Sequence, residues 1–261
     1  MPDPTPVVVF DVNETLSDMS GMADRFTDVG APAHLAAQWF AMVLRDGFAL
    51  TAAGGQEQFS VLAEGALRTV LATLPEPDGG VDAAVEHVMS GFMALPVHPD
   101  VPEGVRALRR AGHRLVTLTN GSTAVAEGLL ERAGLREEFE ALMSVEDAGA
   151  WKPARRAYEY AARRCGVDTG RLLLVAVHLW DIDGAARAGL ATAWIDRTGT
   201  PYPGYFAPPT HTVSALTDLP AVLAGGQSPP ARASGPGQPP EGAAGGSRRG
   251  PTGPPSCRCT V

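Results

Sequence analysis

Four consecutive apolar residues, Val7-Val8-Val9-Phe10, run straight into Asp11 and the polar Asn13-Glu14-Thr15. A short β-branched run with no polar alternation reads as a strand buried on both faces, as in a parallel sheet. After Leu16 the period lengthens. Residues 32–45 (PAHLAAQWFAMVLR) place Leu35, Trp39, Met42 and Val43 at helical spacing, and residues 58–74 repeat the pattern through Phe59, Leu62, Ala66, Val70 and Leu74. A third helical stretch covers about 81–93, and the turn-rich PEPDGG at 75–80 is a loop. No strand signal interrupts residues 20–93, so this stretch reads as a helical insertion.

From Pro96 the rhythm becomes regular. A helix over 101–111 closes at Gly112 and leads into the strand 114–119 (RLVTLT). Asn120-Gly121-Ser122 and a helix to Gly134 follow, then a short strand near 142–145. Lys152-Pro153 comes next, with proline suited to starting the helix that runs to about Cys165. The run LLLVAV at 172–177 is a buried strand, followed by His178-Leu179-Trp180-Asp181 and a helix to Ala188. ATAWI at 191–195 is the last clear strand. Strands alternating with helices at this spacing predict an α/β fold, a Rossmann-like doubly wound parallel sheet. The predicted organisation is a core of residues 1–17 and 96–224, a helical cap of residues 18–95 over the end of the first strand, and a tail. From about Gly225 the chain is Gly, Pro, Ser, Ala and Arg, too poor in apolar surface to offset its ordering entropy, so residues 225–261 read as disordered.

Composition narrows the function classes. The 261 residues carry a net charge of −8, which argues against a nucleic-acid footprint. No basic n-region or long apolar run marks a signal peptide or membrane span. Of three cysteines only Cys165 precedes the tail, so no disulfide framework exists there and a reducing cytoplasm is the expected location. Cys257 and Cys259 form a CxC pair, too little for a metal site, and no cofactor is expected.

Polar residues gather where strands end. Ligands of open α/β sheets collect at the carboxyl ends of strands, which makes these residues candidates for chemistry. In chain order they are Asp11 with Thr15, Thr119 with Asn120, Lys152, and Asp181 with Asp183. Alone, Asp11 reads equally as the cap of a turn. Four such ends in this order, with a helical insertion after the first, resemble the haloacid dehalogenase-like hydrolase superfamily over roughly residues 6–222.

Its phosphatases usually carry a second Asp where this chain has Asn13, which transfers no proton at neutral pH. They also hold magnesium with an acid where this chain has Val177, which offers a hard cation no side-chain oxygen. The chain is more similar to the metal-free type II (S)-2-haloacid dehalogenases. The similarity lies in Phe10-Asp11, Thr15-Leu16, Leu118-Thr119-Asn120-Gly121-Ser122, Ser144-Val145, Lys152-Pro153, Trp180-Asp181 and Trp194-Ile195-Asp196-Arg197-Thr198-Gly199. That resemblance implies that Asp11 displaces halide from a short 2-haloacid, and that water then hydrolyses the aspartyl ester. It further implies that Lys152 keeps Asp11 charged, Thr15 and Thr119 hold its oxygens, Asn120 faces substrate or halide, and Asp181 positions the water. A homodimer is also implied.

Several positions depart from the family pattern. Asn13 and Glu14 replace its usual Tyr and Gly, while Ala176 and His178 replace Ser and Asn. His178 beside Asp181 either packs structurally or meets the reacting water. The family's cap arginine, which gathers carboxylate and halide, aligns near Phe40. Arg45 follows about one and a half turns later and would point elsewhere unless the cap is rearranged; it and Arg25 are the available substitute cations, each reading more readily as a surface arginine. Trp39, Phe40, Phe59 and Trp180 read either as core or as walls of an apolar pocket. Candidate substrate contacts are therefore Asn13, Phe40, Arg45, Phe59, His178 and Trp180. An esterase- or phosphatase-like hydrolase and a non-catalytic binding relative are the alternatives. Magnesium dependence would mark the first, and ligand binding without turnover the second.

Overall fold

The fold is seen in a computed structural model that describes residues 5–77 and 79–225. The segment read as a disordered tail lies, apart from Gly225, outside the described residues, as do Cys257 and Cys259. The apolar runs assemble into one parallel sheet. Its strands are β1 (Val7–Phe10), β2 (Leu115–Thr119), β3 (Ala141–Ser144), β4 (Leu172–Ala176), β5 (Ala191–Ile195) and β6 (His211–Val213), in the order β3-β2-β1-β4-β5-β6. β1 holds the centre, with Val8 opposite Leu115 on one side and Leu173 on the other.

Successive side chains leave a strand on opposite faces, so each face needs its own cover. Val8, Phe10, Leu115 and Val175 meet α5 (Val101–Arg110), α6 (Thr123–Arg132) and α10 (Leu219–Ala224). Val7, Val9, Val116 and Leu174 belong to the other layer, with α8 (Arg155–Cys165), α9 (Leu179–Ala188) and the helices that follow β1. Burial on both faces is why β1 and β4 read as unbroken apolar runs rather than alternating ones, and why β2 is wholly buried although Thr117 and Thr119 interrupt it.

Four helices intervene between β1 and α5: α1 (Met22–Asp28), α2 (Leu35–Ala52), α3 (Phe59–Leu71) and α4 (Gly80–Met93). They close around aromatic side chains. Trp39 packs edge-on against Phe92, Phe59 stacks on Phe92, and the Trp39 indole donates to the Ala63 carbonyl at 2.9 Å.

The elements differ from expectation in four places. α1 is a short helix with two buried residues, Met22 and Phe26, too few to set a period. α2 continues past Arg45 to Ala52 although Gly47 lies inside it. That glycine is kept for space, because a Cβ there would lie 2.3 Å from the Trp151 ring. The helix expected to start at Pro153 starts at Arg155, because Lys152 and Pro153 are drawn into the loop that reaches the centre of the sheet. β6 lies beyond the last expected strand, and three residues at a sheet edge leave no periodic signal. No helix among the described residues is long and apolar enough to cross a membrane.

Candidate active site

Asp11 follows β1 directly, and its N–H still donates to the Val175 carbonyl of β4 at 3.1 Å. The carboxylate therefore projects from the carboxyl end of the central strand, between β1 and β4, where the strand order reverses. That is where ligands of this sheet type bind. The chain then turns back sharply, with Leu16 and Ser17 both donating to the Val12 carbonyl. The turn brings the Thr15 hydroxyl onto Asp11 Oδ2 at 2.6 Å, and the hydroxyl oxygen of Thr15 itself accepts the Val177 N–H at 3.1 Å. Thr15 thereby ties the nucleophile loop to the end of β4.

Lys152 reaches the same point from the loop before α8. Its Nζ is fully buried and donates to Asp11 Oδ1 at 2.8 Å and to Asp181 Oδ2 at 2.6 Å. Burial opposes its charge, but Asp11 and Asp181 outweigh that cost and raise its pKa. Asp11 is also fully enclosed. Burial pushes its pKa up, yet the Lys152 charge and the His178 hydrogen bond carry it well below the usual carboxylate range. An ionised, oriented carboxylate is the form a nucleophile requires. Asp181 is held on its other oxygen by the Tyr158 hydroxyl at 2.6 Å. Burial raises the Asp181 pKa, with the Lys152 charge acting against it.

His178 closes the constellation. Nδ1 lies 3.0 Å from Asp11 Oδ2, and Nε2 lies 2.7 Å from Glu14 Oε2. Trp180 stacks on its ring at 4.8 Å and Phe40 at 6.3 Å. Burial favours the neutral ring, but the hydrogen bonds and charges of Asp11 and Glu14 prevail and push its pKa up to about 9. Glu14 keeps a left-handed backbone, φ 59°, unusual for a residue with a Cβ. Its backbone is pinned by Ser17 Oγ on the N–H and by His98 on the carbonyl, while its side chain is half exposed.

Phe40, His178 and Glu14 face a cavity of about 630 Å³ that also touches Arg197. Among the described residues Arg197 is the only Lys or Arg lining it. Its Nη1 donates to Asp100 Oδ2 at 2.5 Å and its Nη2 to the Thr15 carbonyl at 3.1 Å, while Nε is buried without a hydrogen-bond partner. Asp11 itself stands behind the His178 ring.

The remaining candidates fall elsewhere. Thr119 does not hold Asp11: its hydroxyl accepts the Gly121 N–H at 2.9 Å. Asn120 does not face the cavity but brackets the Lys152 backbone, accepting its N–H at 2.9 Å and donating to its carbonyl at 3.3 Å. It is a positioning residue for the lysine. Arg45 is exposed and pairs with Asp46, and Arg25 lies beside Asp28 on the surface, so neither replaces the cap arginine. Phe59 is core, stacked between Phe92 and Trp151. Asn13 is buried away from the cavity. Tyr158 was not singled out by sequence reasoning, and Arg197 entered only within the closing Trp194–Gly199 similarity, with no role assigned. A tyrosine on the buried face of a helix reads as core, and nothing in the pattern marks Arg197 as facing a cavity.

The site does not fit magnesium. Asp11 Oδ2 already carries the His178 ring and the Thr15 hydroxyl, Oδ1 carries Lys152 Nζ, and Val177 offers no side-chain donor.

A family model described as haloacid dehalogenase-like hydrolase matches residues 5–189. A protein from Burkholderia cepacia named (S)-2-haloacid dehalogenase 4A is 30% identical over 86% of this chain and 97% of its own length. An (S)-2-haloacid dehalogenase from Pseudomonas sp. strain YL is 29% identical over 80% of this chain and 90% of its own. Among solved structures, the L-2-haloacid dehalogenase of Xanthobacter autotrophicus with chloropropionic acid covalently bound superposes with a TM-score of 0.75. It is 25% identical over 85% of this chain and 99% of that one.

Proposed function

The chain belongs to the haloacid dehalogenase-like hydrolases, and we propose that it hydrolyses short (S)-2-haloacids to 2-hydroxy acids without a metal, through an ester on Asp11. The observation that carries this reading is the Asp11 carboxylate held between Lys152 Nζ at 2.8 Å and Thr15 Oγ1 at 2.6 Å, ionised and aimed from the sheet centre. The relatives' printed names supply the substrate class. One oxygen of Asp11 attacks the halogen-bearing carbon as the carbon–halogen bond breaks, and halide leaves with the electron pair. Water then attacks the ester carbonyl. The helical segment 18–95 acts as a cap that closes the cavity over Asp11, with Phe40 as an apolar wall against the carbon chain. Arg197 supplies the cation for the substrate carboxylate, since among the described residues it is the one Lys or Arg lining the cavity.

The test is halide release from (S)-2-chloropropionate in EDTA by wild type, Asp11→Asn and Arg197→Met. Wild type turns over. Asp11→Asn loses activity by several orders of magnitude. Arg197→Met raises KM and loses the preference for the acid over 2-chloropropionamide. Substantial turnover by Asp11→Asn would remove the nucleophile assignment. Release of phosphate from esters only with magnesium would replace the reading altogether.

A further inference from the structure

The second half of the reaction, hydrolysis of the ester, needs a base that takes a proton from water beside the Asp11 carbonyl carbon. Asp181 is the candidate the sequence offers, but Lys152 Nζ holds one of its oxygens at 2.6 Å and the Tyr158 hydroxyl holds the other at 2.6 Å. Its place is to hold the lysine.

We infer that His178, oriented by Glu14, is the general base that deprotonates the water attacking the Asp11 ester. This rests on the reading of Asp11 as a covalent nucleophile. The contacts of the imidazole ring support it. Nδ1 lies 3.0 Å from Asp11 Oδ2 in direct contact, so a water seated beside the Asp11 carboxyl once the ester has formed meets both the base and the carbon it attacks. Nε2 is held at 2.7 Å by Glu14, which fixes the ring and stabilises the imidazolium formed on proton uptake. Nucleophile, base and orienting acid in a row form the arrangement that activated nucleophiles use on many folds. Trp180 and Phe40 stack on the ring and restrict its rotation. The left-handed backbone of Glu14 carries strain that glycine would avoid. At that position the chain keeps a carboxylate, and the carboxylate is aimed at the imidazole.

The protonation state follows the chemistry. Before reaction, the Asp11 charge holds His178 as imidazolium. Esterification removes that charge while burial continues to favour the neutral ring, so one proton leaves past the half-exposed Glu14 to solvent and accounts for the acid released with each halide. Neutral Nδ1 then takes a proton from water as the water oxygen bonds to the Asp11 carbonyl carbon. The tetrahedral intermediate collapses with cleavage of its bond to the substrate oxygen, and the departing alkoxide takes the proton back from Nδ1. Asp11 is left as a carboxylic acid and returns its proton to His178, restoring the ion pair.

Rapid-quench mass spectrometry of the full chain with (S)-2-chloropropionate tests this. Wild type should release many halides per enzyme with little ester at steady state. His178→Gln should release about one halide per enzyme and then stall, roughly 100-fold slower or more, with the substrate's mass retained on the Asp11 peptide. Glu14→Gln, altered at a half-exposed side chain, should slow ester hydrolysis roughly tenfold and shift its pH profile while halide release in the first turnover persists. Multiple turnover by His178→Gln without ester accumulation overturns the base assignment and leaves the dehalogenase reading standing. So does a His178→Gln protein that is folded yet gives no first-turnover halide. If His178→Gln does not fold, unchanged ester hydrolysis in Glu14→Gln overturns it. If wild type itself releases no halide, the dehalogenase reading falls and this inference with it.

Discussion

His178 shows how a single side chain sets a site's charge. Between Asp11 and Glu14 its imidazolium is favoured in the folded chain, with a pKa raised from the ordinary 6.5 to about 9. The sign follows from linkage. The stabilisation is complete below pH 6.5 and is lost as pH rises through about 9, amounting to at most about 3 kcal/mol. The melting temperature of wild type should therefore fall between pH 6.5 and 9.5, and that of His178→Gln should stay flatter. Parallel curves would show that the ring carries no linked proton. The polar residues at strand ends were legible one at a time, because each interrupts an apolar run. Their partners were not. Nothing in the sequence says that Asn120 spends its amide on the Lys152 backbone, or that the Thr119 hydroxyl turns to Gly121 instead of Asp11.

At the scale of elements, α9 and the Lys152 loop fit together through Gly184. A Cβ on Gly184 would lie 2.5 Å from the Pro153 Cβ and 2.7 Å from the Tyr158 hydroxyl, nearer than packed atoms approach. The loop that carries Lys152 and the tyrosine that holds Asp181 both rest against this one position. Gly184→Ala should cost roughly 1–3 kcal/mol of stability and a disproportionate share of kcat, since Lys152 moves with the loop. Unfolding and kcat measured together check it, and full activity with a normal melting temperature would show that the contact gives way freely. Strands and long helices were readable because burial on both faces, or on one stripe, writes a period into the chain. α1, β6 and the true start of α8 were not. The first two are too short to carry a period, and the third is decided by hydrogen bonds to a residue of a distant strand end.

Over the whole molecule, the fold class followed from the alternation of strands and helices after Pro96, while the strand order did not. Local pattern shows that β1 is buried on both faces but not which strands flank it. The cavity likewise belongs to no single segment, since Phe40 of α2, the Glu14 loop, His178 and Arg197 after β5 meet only in the assembled chain. β1 comes early in the sequence, yet one of its two neighbours, β4, pairs through residues 172–175. Bringing such distant segments together costs loop-closure entropy before any contact repays it, which slows folding and leaves the central strand's edges open meanwhile. A chain ended after residue 150 should therefore lack a cooperative thermal transition, and native-like melting of that fragment by circular dichroism would refute the expectation. During synthesis, Asp11 emerges well ahead of Lys152, Asp181 and β4, and the proposed nucleophile waits for all three before it has a site to work in.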